Sequence, residues 1–371
     1  LSAFVGQSAG APALFRQTLE ADLVRSGWFN LAGAGRAEYS VQGEAGLAGQ
    51  TLEVRCEVNN VAARERLLGK TYRAPAEQAR RLAHKAADDI VRAITGRAGM
   101  AGARLLLVGT RTGHKEIYTC DADGLNLRQW TRDGSISLAP KWSADGRFFV
   151  YTSFRSQFPD VYRVTTGTGA RTRLAGFPGL NAGAAVSPDG SKVALILSKD
   201  GNPELYVMPT NKGRLVRLTE TRRAAEASPS WSPDGRQIVY VSDSPGTPQL
   251  FLVDSAGGAP RRLTSRGSQN VDPDWGANGF IACSSYTGGR YQIAVIHPST
   301  LDQRLVSGAD ADYEDPSWAP DGRHIFCTRT ERYRSRIFMI DTLTGSGLPL
   351  LSESEAGDWS APDCSKASFA D

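Results

Sequence analysis

The chain has 371 residues, with 43 Lys and Arg against 39 Asp and Glu for a net charge of +4. So weak a basicity, without a dense Lys/Arg run, offers no footprint for nucleic acid, and no stretch reaches the roughly 18 consecutive apolar residues of a membrane helix. The length fits two domains; the sequence opens at Leu1 without an apolar leader, so any targeting peptide is expected to have been removed or to lie outside it.

The first segment reads as a small α+β domain. "PALFRQTLEADLVRSG" (12–27) places Leu14, Phe15, Leu19, Leu23 and Val24 at helical spacing and ends in Gly; "PAEQARRLAHKAADDIVRAITG" (75–96) does the same, with Pro at its start. Between them "EYSVQGEA" and "LEVRCEVNN" alternate as strands, and "RLLGKTYRA" supplies a third. The domain is expected over residues 1–96, followed by a Gly- and Ala-rich linker over 97–102. His84, beside Lys85, is expected to be a solvated helix residue.

From residue 103 onward the chain repeats itself. "PSWSPDGRQIVYVSD" (229–243) and "PSWAPDGRHIFCTR" (316–329) are two copies of one unit, and "PDWGANGFIACSS" lies midway between them. Extending the step gives anchors at Trp142, Val186, Trp231, Trp275, Trp318 and Trp359, spaced 44, 45, 44, 43 and 41 residues apart. A period of about 40 to 45 residues is that of a propeller. Each unit has a Trp strand, a tight Pro-Asp-Gly-type turn, two β-rich runs such as "QIVYVS" and "QLFLVD", and a short closing run such as "RLTE". The Trp rings and the third-strand aromatics Tyr118, Tyr162, Tyr206, Phe251 and Phe338 are read as core.

Residues 103–131 contain three strands without a leading Trp strand, and the last unit has the Trp strand and little else. Joining the two completes a sixth blade and removes the open edge. The expected fold is therefore a two-domain chain, with a six-bladed propeller over 103–371 closed by pairing its N- and C-terminal strands.

Cys56, Cys120, Cys283, Cys327 and Cys364 form no CxxC pair, so zinc is not indicated. Cys283 and Cys327 hold equivalent positions in neighbouring units, and core filling is the reading for both rather than a disulfide. Catalytic signatures such as GxSxG, HExxH and GxxxxGK[ST] are absent from the sequence. Attention turns to the polar stretches ahead of each Trp strand, where Glu226, Asp272 and Glu314 stand 5, 3 and 4 residues before their anchors. Carboxylates brought to one axis repel unless a cation, an Arg or a partner's basic group joins them.

"LEADLVRSGWFNL", "AHKAADDIVRAITGRAG", "WSADGR", "VSPDGSKVALILSKDGNPELYVM" and "GSQNVDP", in this order, resemble the TolB family of the bacterial Tol–Pal cell-envelope system. The resemblance implies a periplasmic, non-enzymatic, monomeric scaffold that binds the lipoprotein Pal at the propeller mouth and supports outer-membrane integrity and division. It implies an anticodon-binding-like N-terminal domain and a contact with TolA through an extreme N-terminal segment, which is not seen within "LSAFVGQSAGA". It implies no required cofactor and admits calcium in the channel. Carried onto this sequence, the partner-binding candidates are Asn181, Glu226, Asn270, Asp272 and Glu314. Residues 30–37 are shorter than the family's usual loop and second helix. The alternatives are a propeller with another ligand, either a small-molecule or metal-binding module or a lyase or glycan-active enzyme working in the channel.

Overall fold

The computed structural model of the protein describes residues 3–6, 9–30, 37–211, 213–352 and 355–369. It divides into two compact units, one ending at Ala103 and taking back Ser368 and Phe369, the other Arg104–Ala367. The short 30–37 loop noted in the sequence lies mostly outside the described residues.

In the first unit, helix α1 (Gly10–Arg25) and helix α2 (Ala79–Thr95) pack on a sheet of order β1 (Ala3–Gly6), β2 (Tyr39–Ala48), β3 (Thr51–Asn60) and β4 (Glu65–Pro75). Strand β1, which the sequence reading lacks, pairs parallel to β2. Helix α2 stops because Gly96 turns left-handed at φ 70° and donates its N–H to Arg92 O at 2.9 Å. Leu52, Val54, Cys56 and Val58 alternate inward along β3 and meet Phe15, Leu19 and Leu23 of α1 and Leu82, Ala83 and Ile90 of α2 in one core. His84 is the correction here: it is 4% exposed, not solvated, and its Nδ1 lies 2.6 Å from Asp22 Oδ2, tying α2 to α1. The sequence reading took Lys85 as a guide, but one step along a helix turns the next side chain by 100°.

Among the described residues the second unit is six antiparallel sheets of four strands, five of them taken in sequence order. Blade 1 spans 137–175, blade 2 181–217, blade 3 226–262, blade 4 269–305 and blade 5 312–349. Blade 6 is composite: Trp359–Cys364 pairs with Arg104–Gly109, which leads to Glu116–Asp121 and Arg128–Gln129. The ring is closed by its two ends, as the sequence predicts.

Neighbouring blades share cores. Val193, Leu195 and Tyr206 of blade 2 meet Val150 and Val161 of blade 1, and Ile238 and Trp231 of blade 3 meet Ile196 and Leu205 of blade 2. The third-strand aromatics Tyr118, Tyr162 and Tyr206 are buried, as are all five cysteines, whose thiols are free.

One anchor needs correction. The ladder between the first and second strands slips at the same place in all six blades, between Leu138 and Lys141, Ala182 and Ala185, Ala227 and Ser230, Val271 and Asp274, Glu314 and Ser317, and Ser360 and Asp363. Aligned on this bulge, the Trp slot of blade 6 belongs to Cys364, and Trp359 sits five residues earlier. "WSAPD" imitates the turn sequence that follows the other tryptophans, but its Pro362 is the proline of the bulge. The Trp359 ring instead covers Gly109, where an added Cβ would fall 2.4 Å from its Cζ3.

Candidate functional site

The bulge builds the central channel. In each first strand the residue at the slip is left-handed: Ala139 (φ 48°), Gly183 (58°), Ser228 (46°), Asp272 (49°), Asp315 (52°) and Ala361 (49°). Pro140, Pro229, Pro273, Pro316 and Pro362 follow it, with Ala184 in blade 2. A proline cannot donate to a ladder, and a bulge in the innermost strand tolerates both it and the reversed φ. The consequence is that one compact residue per blade is turned out of the ladder, and these six surround a constriction of about 90 Å³.

Asp272 and Asp315 are the acids of this ring. Burial raises the Asp272 carboxyl, and the facing Asp315 charge adds to it, bringing it up to about 7. Ser228 Oγ donates to Asp272 Oδ1 at 3.1 Å, and Thr328 Oγ1 donates to Asp315 Oδ2 at 2.9 Å.

Two residues further on, the channel opens into a cavity of about 210 Å³ lined by Trp142, Trp231 and Trp275. Here the charges are paired: Lys141 Nζ stands 3.0 Å from Asp363 Oδ1, and Lys366 Nζ 3.4 Å from Asp274 Oδ2. Burial pulls the Lys141 pKa down, but Asp363 and Asp274 outweigh it and hold the ammonium charged, above its ordinary range. The same position stitches blades together, because Asp274 Oδ2 accepts the Trp318 N–H at 2.7 Å, Ser230 Oγ accepts that of Trp275 at 3.0 Å and Ser317 Oγ that of Cys364 at 2.9 Å.

The five residues singled out from sequence fall into three slots. Asn181, Glu226 and Asn270 are equivalent, five residues before the Trp slot, and are 0, 2 and 0% exposed. Their side chains are buried in the blade walls. Asn181 Nδ2 donates to Phe177 O at 2.8 Å and Asn270 Nδ2 to Arg266 O at 2.8 Å, so each fixes the loop that leads into its blade. Glu226 has the same place but neither oxygen finds a hydrogen bond within 3.5 Å among the described residues. Burial first, then the Glu204 and Asp243 charges, push its carboxyl up to about 7 against the opposing pull of the Ser242 hydroxyl, which stands outside hydrogen-bond geometry. Glu204, by contrast, is held below its ordinary value despite burial by Thr219, Thr221 and Arg217.

Asp272 alone of the five faces the constriction. Glu314 lies one residue before the bulge, half-buried, its carboxyl raised by burial and by Asp315 and Asp312. Asp315, Lys141 and Asp363 were missed by counting back from Trp. Aligning "APKW", "SPSW", "DPDW", "DPSW" and "APDC" on their prolines brings them out.

Among the described residues no three carboxylate, His or Cys ligand atoms of the channel lie within 4.8 Å of one another, and Lys141 stands among its acids.

The fold and channel define the class: a six-bladed β-propeller with a polar, axially constricted bore, in a chain that also has a small α+β unit. Residues 91–366 match the family model of the TolB beta propeller domain. The chain belongs to the TolB family. It is similar to the Tol-Pal system protein TolB of Desulfosudis oleivorans, 33% identical over 49% of this chain and 41% of that protein. A TolB homolog of Chlorobium chlorochromatii is 32% identical over 50% of this chain and 42% of its own length. The chain thus matches about two fifths of the length of these relatives. The crystal structure of TolB from Acinetobacter baumannii superimposes with a TM-score of 0.85 at 25% identity, covering 98% of this chain and 95% of that one.

Proposed function

We propose that the protein is a non-enzymatic, periplasmic scaffold of the Tol–Pal kind, which binds a Pal-like lipoprotein domain at the channel mouth where the first strands begin and so supports the cell envelope and its division. The observation that carries this reading is the match over nearly the whole chain, both units included, to a TolB structure. Asp272 and Glu314 are the candidate contacts, while Asn181 and Asn270 act indirectly, by fixing the loops around the mouth, and Glu226 stands buried in the equivalent slot. No helix among the described residues is long and apolar enough to cross a membrane; the proposed partners are a Pal-like domain at the mouth and a TolA-like protein at an N-terminal segment.

Titrating a soluble Pal-like domain into the wild type and into Asp272→Lys and Glu314→Lys variants tests the reading. Binding of the wild type weakened by either reversal is expected. Unchanged affinity removes these contacts, and failure of the wild type to bind removes the partner.

A further inference from the structure

The topology gathers two sets of loops on the mouth face. Glu226 opposes Ser242, which opposes Gln249, so first strands begin where the hairpins between second and third strands turn and where fourth strands hand over to the next blade. Acids on this face already hold partners. Asp133 pairs with Arg171 at 2.5 Å, Asp200 with Lys199 at 2.6 Å, and Asp310 and Glu331 with Arg329 at 2.7 and 2.9 Å.

Arg222, Arg223 and Arg266 are different. All three are exposed, and among the described residues their side chains have no acid within 4.0 Å and no hydrogen bond. Arg222 and Arg266 occupy one equivalent position, nine residues before Trp231 and Trp275, on successive loops. Three guanidinium charges therefore stand on one arc of the rim with nothing to neutralise them.

The same face carries a strained projection. The blade 5 hairpin turns at Arg332 and Tyr333, at φ 48° and 65°, whereas blade 4 makes its turn with Gly288 and Gly289 at 65° and 84°. This left-handed pair is the geometry of a two-residue hairpin that prefers Asn or Gly, and other side chains there carry a steric cost. Tyr333 is 98% exposed, so no contact within the second unit offsets it. Inside the rim lie Asp272, Glu314 and Asp315.

We infer that the mouth face is built for a folded protein whose docking surface sets carboxylates against Arg222, Arg223 and Arg266, takes up the Tyr333 ring, and turns a neutral or cationic projection toward the bore. A uniform polyanion, such as a phosphate-rich polymer or an anionic bilayer, would meet the acidic centre and be repelled, whereas a protein surface can alternate sign over such distances. An exposed Tyr beside Arg is also the composition of a protein-binding hot spot. This rests on the scaffold reading above and adds the chemistry of the partner.

The test measures binding of a soluble Pal-like domain to the full chain from low to high NaCl. Wild type should weaken with salt; the triple reversal Arg222→Glu, Arg223→Glu, Arg266→Glu should weaken binding roughly tenfold or more at low salt and flatten that dependence. Tyr333→Gly should weaken binding while leaving the melting temperature unchanged or higher, because glycine relieves the turn; a loss through misfolding would lower both. Triple-variant binding equal to wild type, with the same salt slope, overturns the rim while leaving the scaffold reading in place. Wild type that binds no Pal-like domain ends the scaffold reading and this inference together. Wild-type binding to phosphatidylglycerol vesicles that the triple reversal abolishes overturns the assignment to a protein partner.

Discussion

Asp363 accepts the backbone N–H of Trp142 at 2.7 Å, and its other oxygen meets Lys141 at 3.0 Å. One carboxylate therefore clasps the first blade and neutralises a half-buried cation. Asp363→Ala removes the nearer partner of Lys141 and orphans the buried Trp142 N–H, and leaving a buried donor unsatisfied costs about 1–3 kcal/mol. A clear fall in the denaturation midpoint is expected. A midpoint equal to wild type would show that the clasp contributes nothing to closure.

Closure can be probed from its other side at Gly109. A methyl group there meets the Trp359 ring at 2.4 Å across the composite sheet. Gly109→Ala should destabilise by about 1–3 kcal/mol through overpacking. Restored stability in the double variant with Trp359→Phe would assign the loss to that ring; no restoration would assign it to the strand backbone.

Glu226 predicts a pH effect of definite sign. Its folded pKa, about 7, lies above its ordinary 4.5, so the native state keeps a proton that the unfolded chain releases. The associated stability is fully present below about pH 4.5 and lost as pH rises through 7. Glu226→Gln, which needs no proton, should therefore be more stable than wild type at pH 8, by about 1–3 kcal/mol, and nearly equal to it at pH 4. Thermal melts at the two pH values decide; equal differences at both would remove Glu226 as the titrating group.

Trp318, 1% exposed between blades 4 and 5, is core and not contact surface. Trp318→Ala should cost about 3–5 kcal/mol and alter partner binding only through unfolding. Urea denaturation and a binding titration on the folded fraction separate the two.

The blades were legible because each repeats one sentence of apolar alternation and turn residues, and repetition makes weak local signals add. The channel was less legible. Its geometry hangs on a backbone bulge at "xPxW", and a bulge adds one residue without changing composition, so counting back from Trp mixed three slots: Glu226 in the wall, Glu314 beside the bulge, Asp272 in the bore. Burial was the second blind spot. Asn181 and Asn270 look like loop residues by type, yet their amides are consumed by backbone carbonyls that only the folded loop brings near. Strand β1 gave no alternation to read, since its four residues are small or apolar throughout.

Six left-handed residues, each followed by a proline or alanine, make the width and charge of the bore separable from the framework around it. Each blade holds its shape through ladders and inter-blade cores that do not involve those side chains, so a lineage can rewrite the lining one blade at a time. The vocabulary is short, because Gly, Asn, Asp and other compact residues adopt that backbone at least cost. Such a throat can be tuned in polarity but never filled with bulk, which suits a gauge for what may dock on it rather than a pocket that swallows a substrate.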